Sequence, residues 1–288
     1  LRYLKDHALR FIQDLRNGFK VKPSDVTWVL TVPAIWDSQG KQFMRLAATA
    51  ANLIADMTSD NLIIALEPEV ASVWCKQLSV KDFFEEGSPG GKMEDVPGIQ
   101  YILVDCGGGT IDITVHEILP DGYLKELHRA TGGPWGGECV DENFRLLLKD
   151  IFQTDVWDRY EKEFPAEFHM MMYNFSLKKS SEKEEDVDIE CLYNLTKLAE
   201  KKQDMPLFSK DKSDVTWLEG TIRITYKKFV SLFAESLGEI GGRIEALLST
   251  PGFKINILLF VGGYASSKCL RKEMMRQFGS RAGGGGGG

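Results

Sequence analysis

The fold class that this sequence predicts is α/β, with mixed sheets flanked by helices, and three observations predict it. Two stretches run strand, tight turn, helix, near residues 26–52 and again near 254–278. Between them, YILVDCGGGTIDITVHEI (101–118) reads as two strands joined through glycines. Several of the strands are too apolar for a surface position, so helices should cover the sheets on both faces. Two related α/β halves with chemistry at their strand ends would place a ligand in the cleft between them.

Taken in order, the chain starts inside an amphipathic helix, LRYLKDHALRFIQDL. VTWVLTV (26–32) predicts a buried strand stopped by Pro33, and Asp37 or Ser38 can cap the helix that carries KQFMRLAATAANL. NLIIAL (61–66) predicts a second buried strand, and Glu67-Pro68 opens a helix, EVASVWCKQL. Residues 79–100, rich in glycine and proline, read as a loop or insertion. After the glycine hairpin, Pro120-Asp121-Gly122 turns into a third strand, YLKELHRA. GGPWGGECVDENFRLLLKDIF (132–152) is a second glycine-rich loop running into a helix. Residues 153–215 turn polar, with SEKEEDVDIE and the linker EKKQDMPLFSKDKSD, and predict a smaller, more exposed subdomain. The Met170–Met172 cluster within them reads as core filler. TIRIT (221–225) predicts a strand, followed by a helix from about Tyr226 to Leu248. KINILLFVGGYASSKCLRKEMMRQF closes with strand, Gly262-Gly263, and a helix capped near Ser266 or Ser267.

Composition bounds the function classes. The 288 residues, 43% hydrophobic and 27% charged, suit a globular chain of one large or two modest domains. A net charge of −7 argues against a nucleic-acid or anionic-membrane surface. No apolar run is long enough for membrane insertion, and no signal peptide opens the chain. The five cysteines are scattered without CxxC spacing and the four histidines do not cluster. The expectation is a reduced, cytoplasmic protein with buried thiols and no zinc site. Lack of an initiating methionine and the GGGGGG run at 283–288 suggest a fragment with a flexible tail.

The chemistry concentrates in the hairpin. Gly107, Gly108 and Gly109 permit positive φ, so the chain can reverse tightly and let backbone N–H groups converge on an anion. Thr110 adds a hydroxyl donor. These glycines feed a strand, whereas a Walker loop or a dinucleotide fingerprint feeds a helix. Two carboxylates beside a phosphate would repel it, so Asp105 and Asp112 imply Mg²⁺. The alternative is a plain hairpin whose aspartates face solvent.

Several separated motifs together resemble one family. VTWVLTVPAIWDSQGKQFMRLAA, LIIALEPEVASVWC, DCGGGTID and FVGGYASSK are similar, in order, to segments of the seventy-kilodalton heat-shock protein ATPase domain. VPAIW…KQFMR, IIALEPE, ATGGP and FVGGYA are more similar still to its atypical branch, heat shock 70 kDa protein 12. The resemblance implies an actin-like (ribonuclease H-like) ATPase fold of two lobes that clasp ATP or ADP with Mg²⁺. It implies that Asp105 and Glu67 hold the metal through water, and that Gly107, Gly108, Gly109 and Thr110 cradle the phosphates. It places Asp112 near the attacking water, the fourth of the catalytic set with Glu67, Asp105 and Thr110. Gly136, Gly137 and Glu138 would lie near sugar and phosphates, and Gly262, Gly263 and Tyr264 at the adenine turn. Lys178 and Lys179 would contact adenosine, while Phe175 stands where that helix usually carries a glutamate. Glu67 also reads as a helix-start charge, and the two lysines as a solvated helix face.

On this resemblance, residues 1–98 are the remainder of a first lobe. Residues 99–152 and 216–282 form the core of a second lobe, 153–215 its peripheral subdomain, and 283–288 the tail. The implied function is a chaperone-like ATPase that couples nucleotide state to client or regulatory proteins. The alternatives are a non-catalytic actin-like nucleotide sensor and, further off, a superfamily kinase. The first phosphate loop and its lysine would precede Leu1, so this stretch alone is expected to be inactive.

Overall fold

The computed structural model describes residues 1–16, 18–78, 95–180, 183–202 and 214–279, and at Arg129 and Ala130 the backbone alone. Most of the expected 79–100 loop, most of the 200–214 linker and the glycine tail lie outside the described residues. Helix α1 (Arg2–Leu15) comes first, and β1 (Trp28–Val32) and β2 (Leu62–Leu66) pair in parallel as a two-stranded sheet. Between them lies α2 (Ser38–Ala50), whose N-cap is Asp37, accepting the Gly40 N–H at 2.9 Å. Such a cap contributes about 1 kcal/mol. Ala48, Ala51, Leu53, Ile54 and Leu62 make a small core there.

A four-stranded sheet organises the centre in the order β5-β4-β3-β9. β3 (Gln100–Cys106), β4 (Ile111–Ile118) and β5 (Leu124–Gly133) form the expected antiparallel meander, and β9 (Ile255–Val261) adds in parallel to β3. Tyr101, Ile102, Leu103 and Val104 are fully buried, as a strand covered on both faces requires. One face carries Ile102, Val104, Cys106, Ile111, Ile113 and Val115. It packs on α4 (Gly137–Phe152), α9 (Ala234–Leu248) and α10 (Lys268–Phe278). The opposite face carries Tyr101, Leu103, Ile118, Ile257 and Leu259. It meets α3 (Glu67–Cys75) through Ala71 and Cys75.

Three expectations need correction. β1 and β2 are not fully buried: Val29 is 54% and Ile63 49% exposed, because only one face of this small sheet has helices packed on it among the described residues. Asp112 does not face solvent as the plain-hairpin alternative has it, since Asp112, Thr114 and His116 are all buried. The helix expected over 226–248 is two, α8 (Tyr226–Ser231) and α9, broken at Leu232-Phe233, where i→i+3 bonds tighten the chain. Phe229 and Phe233 thereby both turn into the core, 5.4 Å apart.

Residues 153–215 hold further helices and strands. α5 (Thr154–Glu163), α6 (Pro165–Lys179), β6 (Val187–Glu190), α7 (Tyr193–Glu200) and β7 (Val215–Leu218) make up this region. Its three-stranded sheet runs β6-β8-β7, and the central strand, β8 (Thr221–Ile224), lies beyond residue 215. Trp157, Tyr160, Met171, Phe175, Ile189 and Leu195 are buried in one continuous cluster with Phe144 and Leu148 of α4. The polar average over the segment thus conceals the apolar period of its helices.

Candidate functional site

Antiparallel register makes Asp105 and Asp112 direct cross-strand partners, flanking the four-residue turn from Gly107 to Thr110. The turn closes through Gly107 N–H donating to the Thr110 carbonyl at 3.0 Å. Asp105, Gly107, Gly108, Gly109 and Thr110 line a cleft of about 690 Å³ together with Glu67, Val70 and Ala71 at the start of α3. Thr31, Pro33 and Trp36, at and after the end of β1, complete its wall. The fold thus brings Glu67, Asp105 and Thr110 to one cleft, with Asp112 behind it, 1% exposed.

The electrostatics of this group follow from burial and like charge. Burial pushes the Glu67 carboxyl above its usual range, and the charges of Asp105 and Asp112 add to the rise. Burial also raises Asp105. Asp112 is raised by burial and then by Asp105, against the opposing pull of the backbone N–H groups of Ala34 and Ile35. Among the described residues its Oδ1, which is buried, has no hydrogen-bond partner. A cluster of this kind fits a hard, oxygen-seeking cation that would offset the mutual repulsion. Among the described residues no group of three His, Cys, Asp or Glu is placed to hold a metal ion.

None of Gly107, Gly108 and Gly109 adopts the expected positive φ, and glycine is required at Gly136 for close approach and at Gly262 for both reasons. A Cβ on Gly136 would run into the carbonyl oxygens of Gly107 and Gly108. Gly262 has φ 89°, and a Cβ there would meet the Cys106 carbonyl and lie 2.8 Å from Asp105 Oδ1. These two glycines let the 132–138 loop and the end of β9 close on the hairpin from either side.

The remaining expected residues are placed as follows. Gly137 N–H donates to the Gly107 carbonyl at 3.1 Å and Glu138 N–H to the Gly108 carbonyl at 2.8 Å. The first amides of α4 are therefore spent on holding the hairpin. Lys179 Nζ donates to the Gly137 carbonyl at 2.9 Å and to the Asp141 carboxylate at 2.7 Å. Lys178 is exposed on the last turn of α6, and its charge acts on Asp188 of β6. Gly263 and Tyr264 start a 3₁₀ turn, Gly263–Ser266, and Tyr264 is buried, its ring stacked with Phe233 at 6.4 Å. Ser267 takes the N-cap position of α10, without a side-chain cap bond.

Thr31, Trp36, Val70 and the amides of Ala34 and Ile35 were not singled out by sequence reasoning. The motif VPAIW held the signal, since a proline that ends an apolar strand marks a strand-end loop, where sites form.

No protein-family model matches the chain. It is 31% identical to heat shock 70 kDa protein 12A of Homo sapiens, over 98% of this chain and 49% of that protein. The Mus musculus protein of the same name is equally similar, and heat shock 70 kDa protein 12B of Homo sapiens is 30% identical over 98% of this chain and 48% of that protein. The chain spans about half the length of the curated relatives it matches. Among the described residues no helix is long and apolar enough to cross a membrane. Over nearly all its length, the chain is a relative of the heat shock 70 kDa protein 12 branch of the seventy-kilodalton heat-shock proteins.

Proposed function

We propose that this chain carries the phosphate-binding part of an ATP site on an actin-like fold. The protein is then an atypical heat-shock ATPase that couples its nucleotide state to client or regulatory proteins in the cytoplasm. One observation carries the reading: Glu67 and Asp105, far apart in sequence, line one cleft with the Gly107–Thr110 turn, and Asp112 is the cross-strand partner of Asp105. The similarity to heat shock 70 kDa proteins 12A and 12B supports it.

In this reading Glu67 and Asp105 hold the waters of a bound Mg²⁺, and Thr110 donates its hydroxyl to a phosphate oxygen. Mg²⁺, when bound, offsets the charge of the phosphates and of the carboxylates. Asp112, buried behind the turn, would act near the attacking water, as the resemblance implies. Gly136, Gly137 and Glu138 keep the turn in place through their contacts with Gly107 and Gly108. Positioning supplies most of the rate in phosphoryl transfer, which suits a site built from a rigid hairpin rather than from a nucleophile.

The test is thermal stabilisation by ATP with and without Mg²⁺, beside a measurement of phosphate release. Saturation at a hundredfold excess over Kd would stabilise by about 2.7 kcal/mol. A shift that needs both ATP and Mg²⁺ is the expected result. No shift, or an equal shift without Mg²⁺, would refute the assignment, and binding without turnover would turn the reading to a nucleotide sensor.

A further inference from the structure

We infer that His116 positions α3 over the candidate site: while the imidazole is neutral α3 lies on the sheet and keeps Glu67 at the cleft, and a proton on His116 lifts α3 away. The consequence at the cleft rests on the proposed phosphate site; the movement of α3 does not.

The seam between α3 and the central sheet carries the inference. Antiparallel register sets three pairs on the sheet face beneath α3: Tyr101 with His116, Leu103 with Thr114, and Asp105 with Asp112. Asp112, Thr114 and His116 thus form a polar row along β4, and all three are buried. His116 Nε2 and Thr114 Oγ1 share a hydrogen bond of 2.9 Å, and the imidazole stacks on the Tyr101 ring at 5.4 Å. From α3, Ala71 and Cys75 pack on this face, and Ser72 is fully buried. The Tyr101 hydroxyl faces Ser72 and Cys75 across the seam. By strict geometry neither that hydroxyl nor Ser72 Oγ has a hydrogen-bond partner among the described residues, which weakens the seam. The outer side of α3 is open, with Val70 42%, Val73 58% and Trp74 72% exposed. The helix can therefore leave the sheet without unpacking a second layer among the described residues.

The charges around the ring decide which form the seam tolerates. Burial lowers the His116 pKa to about 4. Its cross-strand neighbour on β5, Glu126, is exposed, where water screens it. Asp112 and Asp105 stand at the other end of the row, and Glu67 lies in the first turn of α3. Lys76, capping the end of α3, adds a cation that donates to the Gly122 carbonyl at 3.2 Å. Tyr101 and Cys75 are neutral, the thiol pushed up to about 11 by burial. With α3 lifted, the ring meets water and returns toward its ordinary pKa of about 6.5. Each pH unit below that favours the lifted arrangement about tenfold, so pH 5 favours it about thirtyfold over pH 6.5. Because Glu67 opens α3, the same movement takes one wall of the cleft away from Asp105 and the Gly107–Thr110 turn.

Cys75, 1% exposed in the seam, reports the movement, and Cys106, fully buried on the opposite face of the sheet, is the control. Wild type, His116→Gln and His116→Phe are treated with a dithiodipyridine, which reacts with thiols in acid, and the modified cysteines are mapped by mass spectrometry. Glutamine keeps a hydrogen-bonding group for Thr114 and phenylalanine keeps the ring stack, so either variant decides if the other does not fold. Between pH 7 and 5 the Cys75 rate is expected to rise at least about fivefold more in wild type than in the variants, with Cys106 protected throughout. Equal rises in wild type and variants, or Cys106 reacting alongside Cys75, would overturn the inference. Mg-ATP affinity, each protein referred to its own value at pH 7, should fall at least about threefold further in wild type by pH 5. Parallel falls would overturn the link to the cleft. No Mg-ATP binding at any pH would overturn the phosphate site itself, a separate failure, and the thiol result would still decide the movement of α3.

Discussion

Replacing Asp105 by asparagine should stabilise the ligand-free protein and abolish its response to Mg²⁺. Asp105 is the shared neighbour in the cluster, since its charge raises Glu67, Asp112, Cys75 and Cys106 together. Cross-strand partners such as Asp105 and Asp112 place their Cβ atoms about 5 Å apart. Two unit charges at that distance repel by roughly 332/(20 × 5), about 3 kcal/mol, at an effective dielectric constant of about 20. Asp105 opens onto the cleft, where water screens it, so a net gain of about 1–2 kcal/mol is the reasonable expectation. For a chain of this size that is a rise of about 3–5 °C in Tm. Differential scanning fluorimetry of wild type and Asp105→Asn, each with and without Mg²⁺ and tripolyphosphate, would measure both effects. The reasoning fails if Asp105→Asn lowers Tm, or if the variant keeps the full ligand-induced shift of the wild type.

Gly262→Ala should destabilise by about 2–3 kcal/mol, because it adds a Cβ at φ 89° against the Cys106 carbonyl and beside Asp105 Oδ1. Mg-ATP affinity should fall at least about tenfold as Asp105 shifts, and an unaltered titration would count against that contact. Phe175→Ala removes a ring stacked on Phe144 in the core and should cost about 3–5 kcal/mol in urea unfolding; a loss below about 1 kcal/mol would mean that the site is not close-packed. Burial lowers the His116 pKa from 6.5 to about 4. As pH falls from 6.5 toward 4, the unfolded chain therefore binds a proton that the fold refuses, and stability declines by about 1.4 kcal/mol per pH unit. Glu67, Asp105 and Asp112, raised in the fold, act in the opposite sense, their repulsion being relieved on acidification. His116→Phe should remove the acid-side loss and leave the carboxylate gain, so identical urea midpoint profiles for variant and wild type between pH 6.5 and 4.5 would contradict the account.

The hairpin was legible because strand period and glycine placement are local properties. Alternation in Ile111, Ile113 and Val115 fixed which side chains share a face, and hence that Asp105 and Asp112 meet. The same alternation says nothing about what lies over that face. His116 and Thr114 look like surface residues until α3 is seen packed on the sheet, and the two then bond at 2.9 Å in the interior. Conformational freedom is what a sequence registers in a glycine, and Gly262 uses it, whereas the approach of a second backbone segment that requires glycine at Gly136 has no local signal. Lys179 was found by resemblance, yet its partners Gly137 and Asp141 lie 42 and 38 positions away in sequence, and no pattern within α6 points to them. The break between α8 and α9 escaped notice for a related reason: Phe229 and Phe233 fit a helical period, and only their packing turns the chain.

The half-open sheet of β1 and β2 has a consequence for how the protein behaves in solution. Val29 and Ile63 stand outward from it, and Phe43 of α2 and Val73 and Trp74 of α3 are also exposed. Such side chains attract one another over a few ångströms, while the net charge of −7 keeps molecules apart at longer range. That charge reaches about 10 Å at 0.1 M salt and only about 3 Å at 1 M. Added salt thus removes the barrier to contact while leaving the stickiness intact, and sulfate strengthens it further. The protein should be handled dilute and at low ionic strength, and its light scattering should rise with salt before any loss of secondary structure.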